Sequence, residues 1–282
     1  MVINSNYSKL FIAFLIFLGL GFFISNIIEI KLLSVAMFVF GLFLAFALDN
    51  RKKRLEAIKD KLRLQDAKLL NVYELSKQFD EKVRLEVQKR LENYLITQLD
   101  YTLEDINNSG VKLSELFDYV SGIKPKNQEQ LKLWEYMTKS LLEVRDILKD
   151  VSHNVKDKMA SHEWSALLLL FFSVIFLVYQ ENNLASIYSK VFVSVLLSCF
   201  TFFILILRQL DTLNWQEQQW IWEPLISLFK ELGLRPYIPE ALLIQKRLNI
   251  NSIKKLTSSI RVGRTKYPYP DFSDKKIEVL EL

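Results

Sequence analysis

Apolar and charged segments alternate along the chain, and the apolar residues gather in four blocks. These run from Leu10 to Ile24, Leu32 to Leu48, Trp164 to Tyr179 and Leu184 to Leu207, the last interrupted only by Lys190. A helix that crosses a bilayer needs roughly 17–25 predominantly apolar residues. The first and third blocks lie at the short end. Lys9, Ser25 and Asn26, and Glu163 and Gln180, complete them by snorkelling or by local thinning of the bilayer. Ser25–Lys31 separates the first pair and Gln180–Asn183 the second, links short enough to force antiparallel hairpins. A cleaved signal peptide is a poor reading of the first block, because Ile24-Ser25-Asn26-Ile27 lacks the small residues of a cleavage site.

Between the hairpins the period changes to that of amphipathic helices. From Leu42 to Ser109 there is neither Gly nor Pro, and Leu55, Ile58, Leu62, Leu69, Val72, Leu75, Phe79, Val83, Val87, Leu91, Tyr94 and Leu95 recur in steps that mark one helical face, broken once at Gln65. A helix continuing from the second block to Ile106 would extend about 85 Å if unbent, at about 1.5 Å per residue. Asn107-Asn108-Ser109-Gly110 reads as a stop and turn, Leu113–Val120 as a short helix, and Ser121-Gly122-Ile123-Lys124-Pro125 as a second break. Trp134, Met137, Leu141, Val144, Leu148, Val151 and Val155 then repeat at 3-4-3-4-3-4 spacing, a coiled-coil seam on a helix that leads straight into the third block. The predicted fold class is therefore an all-α integral membrane protein, with four transmembrane helices in two hairpins and a long antiparallel helical stalk. Two stripes alone make a thin core, so the stalk predicts either a homo-oligomer or a closed intramolecular hairpin.

The segment Arg208–Leu232 reads as a helix with a bend near Pro224, carrying Trp215, Trp220 and Trp222 as interfacial anchors. It lies along the membrane surface or against the base of the stalk. Gly233 ends it, Pro236-Tyr237-Ile238-Pro239 makes an extended corner, and Glu240–Arg247 a short helix. The rest is read as an extended basic tail, in which Lys254, Lys255, Arg261, Arg264 and Lys266 are placed to touch anionic lipid. The expected divisions are residues 1–49, 50–162, 163–208, 209–247 and 248–282: hairpin, stalk, hairpin, Trp-rich region and tail.

Charge sets the orientation. Arg51, Lys52, Lys53, Arg54, Lys59, Lys61 and Arg63 follow the second block, Arg145, Lys149, Lys156 and Lys158 precede the third, and Arg208 follows the fourth. The short links carry only Lys31 and, at their edge, Lys190. The asymmetry places both termini and the stalk in the cytoplasm, with the protein in the cell membrane. A net charge of +5, concentrated there, argues for membrane orientation rather than nucleic-acid binding. Expected partners are membrane lipid, copies of the same chain, and a cytoplasmic protein engaging the stalk or tail.

Candidate chemistry is sparse. No enzyme motif, metal cluster or phosphate loop is present, so the expectation is a non-enzyme without cofactors. His153 and His162 lack metal spacing, and the single cysteine, Cys199, reads as a packing thiol. The fourth block is distinctive: Lys190, Ser194, Ser198, Thr201, Leu205 and Arg208 share one helical face. In an oligomer this face would line an anion pore, with hydroxyls donating to the ion and Phe200 or Phe203 as a dry gate. The alternative is close helix packing through Ser and Thr. Two functions follow: a membrane-anchored scaffold or sensor acting through the stalk, favoured by the seam, or an oligomeric anion channel. The layout of two spans, a long helical segment and two more spans resembles that of the bestrophin-like anion channels. The resemblance is one of topology, implies a channel, and assigns no residue a role.

Overall fold

The computed structural model describes Ile12, Leu15, Ile16 and residues 33–181, 187–213, 223–244 and 257–281. The rest of the first apolar block, the link Ser25–Lys31, residues 182–186 of the second link region, Trp215, Trp220, Trp222, Lys254 and Lys255 lie outside the described residues. The chain divides into two units, one of residues 1–55 and 158–215, the other of residues 56–157 and 216–282.

In the first unit, three helices meet: α1 (Leu33–Ser76), of which the apolar first half belongs here, α5 (Ser161–Glu181) and α6 (Ile187–Thr212). Three helical stretches among the described residues, within Leu33–Ser76, Gln128–Gln180 and Ile187–Thr212, are long and apolar enough to cross a membrane. They share a core of Phe40 and Leu44 from α1, Leu167, Phe171, Val174 and Val178 from α5, and Val193, Leu197 and Leu207 from α6. Phe40 is its hub, with ring centroids 5.8 Å from Phe171 and 5.2 Å, edge-on, from Phe200. Such aromatic pairs add about 0.5–1.5 kcal/mol beyond the area they bury.

The second unit holds the rest of α1, α2 (Glu81–Asp100), a 3₁₀ segment (Leu103–Ser109), α3 (Gly110–Ser121), α4 (Gln128–Lys156), α7 (Glu223–Glu231) and α8 (Glu240–Ile244). Lys61 pairs with Asp150 and Lys68 with Glu143, so stepping forward along α1 steps backward along α4 and the two helices are antiparallel. Met137, Leu141, Val144, Leu148, Val151 and Val155 are all buried inside this unit, and Trp134 donates its Nε1–H to the Val120 carbonyl at 2.9 Å.

Three sequence expectations need correction here. The amphipathic stripe does not continue through one helix to Ile106. The chain turns at Lys77–Asp80 without Gly or Pro: the amides of Lys77, Gln78 and Phe79 bond three residues back, tightening the helix end, and Asp80 (ψ 149°) is extended and starts α2. Nor is Asn107–Gly110 the stop, since α2 ends at Asp100 and Gly110 opens α3 in helical geometry (φ −58°, ψ −25°). The seam helix does not run straight into the third span, because residues 157–160 interrupt it. Pro224 is the second residue of α7 as described, and the expected bend near it rests on residues 214–222, which lie outside the described residues.

The fold is not purely helical. Strands β1 (Tyr237–Pro239), β2 (Ser259–Arg264) and β3 (Lys276–Glu281) form a sheet in that order, β1 parallel and β3 antiparallel to β2. The tail is therefore folded. Ile260 and Val262 are buried on β2, at the two-residue period of a strand. Arg261 pairs with Glu92 and Arg264 with Glu240 and Glu278, so these two cations serve ion pairs within the unit. Gly233, at φ +71°, closes α7 in a left-handed cap with the Leu234 amide bonded to the Phe229 carbonyl at 2.8 Å.

Candidate functional site

On α6, Ser194 and Ser198 are buried within the first unit, Lys190 and Thr201 are half-buried, and Arg208 is exposed. The hydroxyls of Ser194, Ser198 and Thr201 donate to the carbonyls of Lys190, Ser194 and Leu197 at 2.8, 2.7 and 2.9 Å. A hydroxyl has one hydrogen. Given to the preceding turn, it is not presented to an ion. Phe200 packs on Phe40, whereas Phe203 is exposed. The outward face of α6 is apolar, with Tyr188, Phe192 and Val195 exposed beside the exposed Cys199.

The polar centre of this unit lies at the end of α6, at Asp211. Its carboxylate is nearly enclosed and gathers donors from three places. Arg51 Nη1 lies 3.4 Å from Oδ1 and Arg54 Nη1 3.8 Å. The Met159 amide donates to Oδ1 at 2.8 Å, and Trp164 Nε1 to Oδ2 at 3.3 Å. Arg54 also donates to the Asp211 main-chain carbonyl at 2.9 Å, one of the carbonyls a helix end leaves without an internal partner. A cation there also complements the helix dipole. The chain then leaves through Leu213, which is left-handed at φ +56° and buried. One carboxylate thus fixes α1 to the entrance of α5 and the exit of α6. By sequence, Arg51 and Arg54 are orientation charges and Asp211 carries no assigned role. The available signal is an acidic residue four positions after the longest apolar block, matched to a basic cluster after another.

The exposed face of α1 differs from that of α6. Val35, Phe38, Leu42, Ala45 and Asp49 follow at 3-4-3-4 spacing and are all exposed, Phe38 at 69% and Leu42 at 45%. Asp49 at its end pairs with Lys53 at 2.7 Å. The stripe is thus an unbroken apolar row that closes on a neutralised charge pair.

The second unit carries two polar clusters. In one, Tyr237 donates to Asp100 at 2.5 Å, and Lys275 pairs with the other carboxylate oxygen. Burial raises the Asp100 pKa, and these two partners oppose the rise. In the other, Gln65 donates to Gln98 at 2.9 Å within the core, and the neighbouring Asp66 is pushed up to about 7 by burial and by the charge of Glu231.

These helices and this fastening define an integral membrane protein. The sequence matches the bestrophin-like domain over residues 26–212, and the chain belongs to the bestrophin-like family. No curated protein and no solved structure matches it.

Proposed function

We infer that the chain is one subunit of a homo-oligomeric anion channel in the cell membrane. The observation that carries this reading is membership of the bestrophin-like family, since bestrophins are anion channels. A fourth span from the first apolar block, and the Lys and Arg asymmetry that puts the termini and the second unit in the cytoplasm, complete the topology.

Within this reading the pore wall is assigned to the α1 stripe rather than to α6. The hydroxyls of α6 are committed to its own carbonyls, and Ser194 and Ser198 are covered by their own subunit. The α1 stripe is uncovered and apolar from Val35 to Ala45. Copies arranged about an axis would bring Phe38 and Leu42 together as a dry constriction, which gates by excluding water. The membrane-anchored scaffold or sensor is the second reading, supported by the absence of any catalytic motif in the sequence and by the size of the second unit. In that reading a cytoplasmic protein engages the second unit.

The test is chloride and potassium flux through purified protein in liposomes. Leu42→Ala is expected to raise anion flux, and Lys190→Glu to leave charge selectivity unchanged. A selectivity change on Lys190→Glu returns the pore wall to α6. No flux from folded wild-type oligomer favours the scaffold.

A further inference from the structure

A groove of about 180 Å³ opens in the first unit between α1 and the entrance of α5, lined by Phe43, Phe46, Ala47, Asn50, Arg51, Met159 and Glu163. Its α1 side lies about a quarter-turn away from the Val35–Leu42 stripe. Phe43, Phe46, Ala47 and Asn50 stand at the i, i+3, i+4, i+7 positions of one helical line. Along that line the wall changes from aromatic to amide within seven residues, about 10 Å of helix. That change marks where the apolar block ends, at the level where a bilayer passes from acyl chain to headgroup.

The polar end of the groove holds a cation and an anion on opposite sides. Arg51 comes from α1, sharing its guanidinium with Asp211. Glu163 comes from α5; its Oε2 accepts the Ala160 amide at 2.9 Å, and Oε1 has no hydrogen-bond partner among the described residues. A ligand matched to this groove has an apolar tail for Phe43, Phe46 and Met159. It has an anionic group for Asn50 and Arg51, and a hydrogen-bonding cation for Glu163. We propose that the groove is a binding site for a membrane phospholipid whose headgroup carries both a phosphate and a primary ammonium, of the ethanolamine class. The phosphate accepts from Asn50 and Arg51, and the ammonium donates to Glu163. A glycerol headgroup offers the same phosphate and tail but no cation. The site depends on the membrane location alone and stands whether or not the chain conducts ions.

The experiment uses the full-length protein, reconstituted in vesicles of equal phosphatidylethanolamine and phosphatidylglycerol with matched acyl chains. The protein is then extracted in mild detergent and its retained lipid weighed by native mass spectrometry. Wild type is expected to retain the ethanolamine lipid about tenfold over the glycerol lipid, the size of one charge-assisted hydrogen bond. Glu163→Gln keeps an oxygen for the Ala160 amide, so the fold is unchanged, and brings the ratio to about one. Ala47→Phe fills the groove and lowers retention of both lipids. A ratio near one in wild type overturns the proposal, as does a preference that survives Glu163→Gln in protein with an unaltered unfolding temperature.

Discussion

Arg54 reaches across 157 residues of chain to donate to the main-chain carbonyl of Asp211 at 2.9 Å, while its guanidinium also stands 3.8 Å from the carboxylate of the same residue. Its side chain is 4% exposed. Removing Arg54 leaves the Asp211 carboxylate with Arg51, the Met159 amide and Trp164, so the loss falls below the roughly 3–5 kcal/mol typical of breaking an enclosed pair outright. Arg54→Ala is therefore expected to lower the unfolding temperature of the detergent-solubilised protein by several degrees. Asp211→Asn should cost more, because Arg51 and Arg54 both lose this anion although an amide oxygen still accepts from Met159. Equal midpoints for wild type and Arg54→Ala would remove Asp211 as the fastening of this unit.

Leu141 is 1% exposed inside the second unit, and Val144 is fully buried beside it on the seam. Leu141→Ala is expected to destabilise that unit by about 2–5 kcal/mol, through lost apolar burial and the cavity left behind. Limited proteolysis reads the outcome: faster cleavage between residues 56 and 157, with α5 and α6 still protected. Unchanged cleavage with dissociated oligomers would instead place the seam between subunits.

The ring of Tyr237 lies over Gly263, so a β-carbon there would fall 2.6 Å from Tyr237 Cζ. Gly263→Ala must displace that ring and with it the hydroxyl on Asp100. The expected cost is about 1–3 kcal/mol, as for other overpacking substitutions. Hydrogen exchange at residues 259–264 should quicken, with the amides of α6 unaffected. An exchange rate indistinguishable from wild type would show that the ring yields freely.

Asp66 gives stability a pH dependence of definite sign. Its folded pKa, about 7, lies above the value of about 3.9 for an exposed carboxyl. Between these values the folded state holds a proton that the unfolded state has released. Stability therefore falls as pH rises from about 4 to about 7, and the full penalty is present above 7. Asp66→Asn removes the charge, so the variant should be more stable than wild type at pH 8, by on the order of 2 kcal/mol after screening, and equal to it near pH 4. Unfolding midpoints at the two pH values decide the matter; a gain of the same size at both would point to packing instead of charge.

The apolar blocks were legible because a bilayer demands continuous runs, and α1, α5 and α6 contain three of them. The seam of α4 was legible for a similar reason: the residues at 3-4 spacing from Met137 to Val155 are all buried, with Ser140, Ile147 and Ser152 beside them. The break after Ser76 was not, because it rests on main-chain bonds around Lys77–Asp80 rather than on Gly or Pro. The sheet was hidden by its size. Strands of three to six residues, two of them separated by Thr265–Lys275, give a period of two too few repeats to stand out from a basic tail. Asp211 was hidden by distance along the chain, since its partners Arg51, Arg54 and Met159 lie 160, 157 and 52 residues away.

The hydroxyls of α6 bear on the mechanics of that helix. Ser194, Ser198 and Thr201 place a second hydrogen on the carbonyls of Lys190, Ser194 and Leu197, and Thr212 does the same to Arg208 at 3.0 Å. A carbonyl so shared holds its own helical amide less tightly, and the helix bends more easily around it. The first three lie on successive turns, with Ser194 and Ser198 buried inside the unit, so their compliance has a direction. Held firmly by Asp211 at one end and softened along one edge, α6 behaves as a clamped leaf spring whose easiest flexion is toward or away from its own subunit.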